Sequence, residues 1–180
     1  KTIETKFRLM NPTGKTIRDT VPFEAEMQRV DNVPAEQLYK ILKFEVNSQN
    51  YTDELKDKLN IVDKGDNCND AYCIDIGTVH EFDVEEYCYV DMIVETIVPI
   101  SDVCYSNQVT KPCKRYRITF TVDDTLYKVS WHNFGYMRKD NEEEYRERVF
   151  VEPLDNGISL GFNSWILPGD GAVISISKKM

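Results

Sequence analysis

The side chains able to do chemistry are few, and most of them are cysteines. Five Cys and two His occur in 180 residues. A thiol nucleophile needs a base within hydrogen-bond reach and a third group to orient that base. Cys104 or Cys113 with His132 is the combination this sequence offers, His132 lying in SWHNFGY beside Trp131 and Asn133. Nothing in the spacing forces that meeting, so these three are candidates for a thiol-dependent hydrolase and no more. There is no Gly-x-Ser-x-Gly elbow, Walker loop, dinucleotide fingerprint or His-Glu-x-x-His motif. A catalytic reading therefore lacks a recognisable constellation.

The stretch DKGDNCNDAYC, from Asp63 to Cys73, raises the question of a metal. An EF-hand loop needs oxygen ligands at its first, third and fifth positions, Gly at the sixth and Glu at the twelfth. A start at Asp63 puts Gly65 third and Ile74 twelfth, and a start at Asp66 puts Cys68 third and Gly77 twelfth. Both registers fail. An irregular oxygen site built from Asp63, Asp66 and Asp70 would suit a hard cation and a metal-dependent hydrolase. The favoured reading is a loop, because Asp, Asn and Gly supply turn geometry. Zinc is disfavoured, since Cys68-x4-Cys73 and Cys104-x8-Cys113 exceed or strain the short spacers of zinc knuckles. No cofactor is expected.

In an exported protein the thiols would pair instead. Cys104 and Cys113 bound CYSNQVTKPC, and a bridge closing that loop would contribute about 2–3 kcal/mol. Cys68 with Cys73 would be the second pair, leaving Cys88 as a buried small hydrophobe on an apolar strand face. An exported or extracellular location is thus slightly favoured, while a reducing compartment would leave five thiols.

What would position these groups is mostly strand. Thr5, Phe7 and Leu9 share one face of TKFRL, and Val21, Phe23, Ala25 and Met27 line one face of TVPFEAEMQRV. With the Asn11-Pro12-Thr13-Gly14 turn between them, the two segments read as an antiparallel pair. The period then changes. Leu38, Ile41, Leu42 and Glu45 fall at helical spacing behind an Asn32 cap, and Tyr51, Leu55 and Leu59 do so behind Asn50 and Asp53. From Ala71 onward the pattern is again period 2. Tyr72, Ile74, Ile76 and Thr78 share a face, as do Cys88, Val90, Met92, Val94, Thr96 and Val98. Asp123-Asp124 suggests a hairpin between YRITFTV and TLYKVSW. Asn156-Gly157 suggests a type I′ hairpin in which Val149, Val151 and Pro153 face Leu160 and Phe162. AVISIS, after Pro168-Gly169-Asp170-Gly171, reads as a closing strand.

The expected fold is α+β and predominantly antiparallel β, sandwich-like or a single twisted sheet, with two short helices inserted near residues 33–60. No linker composition divides residues 1–180, so one domain is expected. Edge strands bearing Val and Tyr could pair with another chain, but which strands are edges is not written in the sequence.

Charge and aromatics narrow the partner. A formal charge of −9 argues against a nucleic-acid backbone or an anionic membrane, and no run of about 18 apolar residues predicts a span. Trp131, His132, Phe134 and Tyr136 cluster in sequence, and Trp165 sits near a turn, so these five are the candidate binding residues. The leading expectation is a non-catalytic binding or protein–protein interaction module, of the kind found among exported or virus-borne accessory proteins. The alternatives are the thiol- or metal-dependent hydrolase and an acidic nucleic-acid mimic that binds a basic partner.

Overall fold

A computed structural model of the chain describes residues 1–65, 72–122, 127–134 and 149–179, with the backbone alone of 133 and 134. In chain order its elements are β1 (Thr2–Met10), β2 (Ile17–Met27), a 3-10 turn (Ala35–Gln37), β3 (Tyr39–Val46), β4 (Gln49–Asn50), α1 (Thr52–Asp57), β5 (Asn60–Asp63), β6 (Ile74–Val84), β7 (Tyr87–Thr96), β8 (Cys104–Gln108), β9 (Cys113–Thr121), β10 (Tyr127–Phe134), β11 (Val149–Leu154), β12 (Gly157–Ile166) and β13 (Gly171–Lys178). The predominantly antiparallel β architecture follows directly.

Seven strands form one sheet in the order β11-β12-β9-β1-β7-β3-β4. Two three-stranded sheets, β2-β6-β5 and β10-β13-β8, accompany it. Strand alternation decides which face of the large sheet is apolar. On β1, Ile3, Thr5 and Leu9 are buried, and across the pairs Ile3 meets Val94 and Phe120, Thr5 meets Met92 and Ile118, and Leu9 meets Cys88 and Cys113. Both small sheets cover that same face. Phe23 of β2 packs edge-on to Phe44 of β3 at 5.0 Å between centroids, and Tyr105 of β8 lies 5.5 Å from Phe120 of β9. One continuous apolar cluster joins residues of all three sheets.

The first expected helix is instead strand β3. Its buried residues are Tyr39, Ile41, Phe44 and Val46, and its pairing with β7 shifts between Ile41 and Lys43. That bulge inserts one residue, Leu42, which is 48% exposed. A bulge turns a spacing of two into a spacing of three, so a bent strand imitates one turn of helix in the sequence. Only the second helix forms, as the six residues of α1. Asn50 does not cap it as Ncap but accepts the Thr52 amide at 2.8 Å, while the Thr52 hydroxyl accepts the Phe44 amide at 2.9 Å.

Two expected hairpins are also absent, for one reason. β1 pairs with β7 and β9, whereas β2 pairs with β6. β9 has β1 and β12 on its two sides, so β10 pairs with β13 in another sheet. In both places the chain crosses between layers. The β11–β12 hairpin does form, with Val149 opposite Phe162 and Val151 opposite Leu160. Its turn is Asp155-Asn156, since Leu154 pairs with Gly157, and neither turn residue has positive φ. The turn thus sits one residue before the expected Asn156-Gly157 and is not of type I′.

Candidate functional site

The covering layer is split. β2 is an edge of one small sheet, β8 an edge of the other, and the two are not hydrogen-bonded to each other. A cleft of about 640 Å³ lies between them, within the usual size of a ligand site. Its lining shows how each element contributes. From β1 and β7 come alternate residues, Ile3, Thr5, Phe7 and Leu9 with Met92, Val94 and Thr96, which is a strand seen face-on. From β2 come Thr20 to Met27 without a gap, and from the β8 segment Cys104 to Lys111 without a gap. Consecutive residues line a cavity where a strand presents its edge, and β2 and β8 are both edges. The cleft thus has a side-chain floor and two backbone walls.

Phe7 and Met92 are half-buried at the centre of that floor, while Ile3, Leu9 and Val94 are fully covered. Each end carries an ion pair. Lys1 reaches Asp102 at 3.0 Å and the Cys104 carbonyl at 3.5 Å. Lys111 pairs with Asp19 and donates to the Thr20 carbonyl at 2.7 Å. The β8 wall is tied to the large sheet by a polar chain: the Tyr116 hydroxyl donates to Asn107, whose amide donates to the Tyr105 hydroxyl at 3.3 Å. Burial raises both phenols, Tyr116 well above its ordinary range, so they remain neutral donors and acceptors.

Of the hydrolase candidates, two line this cleft. Cys104 is exposed at the start of β8, and Cys113 is 2% exposed at the start of β9, with its thiol pushed up to about 12 by burial. Both are free thiols, which corrects the expected Cys104–Cys113 bridge. Five residues of extended β8 carry the chain roughly 16 Å away from Cys104, and the chain then changes sheet before Cys113. His132 lies elsewhere, on β10, opposite Val173 of the intervening β13. β10 and β8 are two strand intervals apart, about 10 Å, so His132 is out of hydrogen-bond reach of Cys104. Cys88 is a buried free thiol, as its place on the apolar face implied. Cys73 is disulfide-bonded, and Cys68, Asp66 and Asp70 lie outside the described residues. Asp63 is committed to Arg29 and to the Gly65 amide at 2.9 Å, with its carboxyl held low chiefly by the guanidinium. No group of three metal-ligating side chains occurs among the described residues.

The aromatic candidates do not form one patch. Trp131 is half-buried on β10 and packs against the core, whereas Trp165 is 44% exposed on the opposite, outer face of the large sheet with Lys114 4.6 Å from its ring centroid. His132 is exposed, and Tyr136 and the Phe134 side chain lie outside the described residues. Sequence reasoning missed the cleft because its walls are main chain. It also missed the environment of His80.

His80 is 4% exposed and surrounded by Phe44, Tyr51 and Phe82, its ring 4.3 Å from that of Tyr51. Neither ring nitrogen has a hydrogen-bond partner, and the nearest carboxylate, Glu54, is 3.7 Å from Nδ1. Desolvation lowers its pKa, Glu54 opposes that in part and Lys58 adds to it. The folded state thus binds this proton less readily than the unfolded chain. The associated stability is complete above the ordinary histidine range and is lost as pH falls through it, by up to about 1.4 kcal/mol per pH unit. Denaturant midpoints measured from pH 8 to pH 5 should fall, and His80→Gln should remove part of that slope. An unchanged slope in the variant would sink this reading.

Compared with known proteins, the sequence matches no family model and no curated protein. The site must therefore be read from its own geometry.

Proposed function

We propose that the protein is a non-catalytic binding module that holds a protein partner in the cleft between β2 and β8. The observation that carries this reading is the lining: an apolar floor presented face-on between two backbone walls. Such a site offers apolar contact and main-chain donors and acceptors, the two ingredients of specific chain recognition. Among the described residues Cys104 and His132 lie on strands too far apart to hydrogen-bond, which counts against an assembled nucleophile and base. On the large sheet's outer face, carboxylates among the described residues are paired with lysines, which counts against a nucleic-acid mimic presenting that face. There Lys43 holds Asp91 at 2.7 Å and Glu45 at 3.1 Å, and Lys6 holds Glu4 at 2.5 Å. No helix among the described residues is long and apolar enough to cross a membrane.

A second surface competes with the cleft. On the outer face Tyr87, Tyr89, Phe150 and Trp165 are 40%, 43%, 45% and 44% exposed, with Arg8 stacked over Tyr87 and Lys114 over Trp165. The two are separated by paired substitutions in capture from the native source. Met92→Arg places a charge on the cleft floor, and Trp165→Ala with Tyr87→Ala strips the outer face. Partner capture should fall at least tenfold with Met92→Arg, in protein that still unfolds cooperatively, and survive the outer-face changes. The reverse pattern would move the site to the outer face and overturn the proposal.

A further inference from the structure

We propose that the cleft takes an extended segment of the partner as an inserted β-strand, paired on one side with β2 and on the other with β8. This rests on the cleft being the binding site and names its occupant. An unpaired strand edge is a row of main-chain N–H and C=O groups, and what satisfies such a row is another backbone. Here two such rows face one cleft, since among the described residues β2 pairs only with β6 and β8 only with β13. Inserting one strand would join β5-β6-β2 and β8-β13-β10 into a continuous second layer over the large sheet. The two edges would disappear together.

The length of the shorter edge and the two ends agree with that occupant. β8 offers five residues, Cys104 to Gln108, so the paired segment is short, roughly 16 Å of extended chain. At one end the Cys104 carbonyl already receives Lys1, and at the other the Thr20 carbonyl already receives Lys111. The lysines therefore satisfy the terminal carbonyls and leave as the docking rows the main chain of Val21 to Met27, in which Pro22 has a carbonyl but no N–H, and that of Tyr105 to Gln108. Below them lie Phe7 and Met92, half-buried apolar side chains at the middle of the floor. A segment with apolar residues at alternate positions would place these on Phe7 and Met92 and turn its other side chains to solvent. Both lysines are already paired with Asp102 and Asp19, so the inserted part should carry no net charge of its own.

A displayed library of random heptapeptides, selected on the immobilised full chain, tests this directly. Selected peptides should show apolar residues at every second position and lose at least tenfold in affinity to the Met92→Arg variant. N-methylation then reads the backbone. In a strand paired on both sides, successive N–H groups point to alternate neighbours, so methylating any of the central amides should weaken binding at least tenfold. Loss at every other amide alone would mean pairing to one edge and would overturn the two-sided insertion. Insensitivity to methylation at all positions, with Met92→Arg still abolishing binding, would overturn strand pairing while leaving the cleft as the site. Peptides indifferent to Met92→Arg and lost with Trp165→Ala, or no peptide at all, would overturn the inference as well. Only the outer-face pattern also removes the cleft reading beneath it.

Discussion

Gly157→Ala is expected to destabilise the protein by about 3 kcal/mol, although it adds a single methyl group. Gly157 begins β12 directly after the Asp155-Asn156 turn and pairs with Thr121 of β9. A Cβ there would overlap the Phe120 carbonyl oxygen and would lie 2.8 Å from Thr121 Cγ2 and 3.0 Å from Thr121 Cα. Two of those three atoms are main chain, so no rotamer relieves the clash. Nor can β12 simply move away. The Val122 amide donates to the Asn156 carbonyl at 3.0 Å, and the Asn156 side chain donates to the Val122 carbonyl at 2.7 Å. Making room means breaking that clamp at the point where β9 meets the hairpin. Gly161→Ala, four residues on in the same strand, is the control. Its nearest neighbour would be Phe150 Cδ1 at 3.4 Å, an ordinary contact with a side chain. Urea midpoints should show the first variant strongly shifted and the second within about 1 kcal/mol of the parent. Equal shifts would show that the backbone approach does not constrain this position.

A comparable loss, again about 3 kcal/mol, is expected for Asn11→Ala. Asn11 is 5% exposed, and its amide nitrogen lies 2.6 Å from the Lys15 carbonyl, 2.8 Å from that of Val84 and 2.6 Å from that of Glu85. Its side-chain oxygen accepts the Thr13 amide at 3.0 Å and the Thr13 hydroxyl at 2.7 Å, and its own amide donates to Glu86 at 2.8 Å. One side chain therefore fastens the β1–β2 connection to the β6–β7 turn, where two crossings between layers run side by side. Removing it strands carbonyls that no longer have a donor, and the penalty for such groups exceeds the net gain of making the bonds. Asn11→Asp keeps the size but loses both donor hydrogens, so it should be at least as unstable at neutral pH. If Asp were tolerated and Ala were not, packing rather than hydrogen bonding would explain the site. Thermal or urea unfolding of the pair decides it.

How much of this was legible beforehand follows from what is local. The faces of β1, β2, β6 and β7 could be read because a strand's period of two is set by its own backbone: Val21, Phe23 and Met27 are buried on β2, and Cys88, Val90 and Val94 on β7. β3 could not, because a bulge is a relation between two strands, and the one at Leu42 exists only against β7. The β1–β2 and β9–β10 hairpins failed for the same reason. Among the described residues the consecutive strands that pair are β3–β4, β5–β6 and β11–β12, so sequence neighbours are mostly in different layers. The separation of Cys104, Cys113 and His132 follows from that wiring.

By itself, then, the amino-acid sequence determined the predominance of strands, the apolar side of β1, β2, β6 and β7, the turn at Asn11–Gly14 and the scarcity of reactive side chains. These depend on the periodicity and chemistry of residues close together in the chain. Only the tertiary structure decided which strands are edges, and with them the cleft. Its floor needs β1 and β7 side by side, and its walls need β2 and β8 to end two sheets facing one another. An unpaired backbone has no characteristic side chain, so no residue pattern announces it until the order of the strands is known.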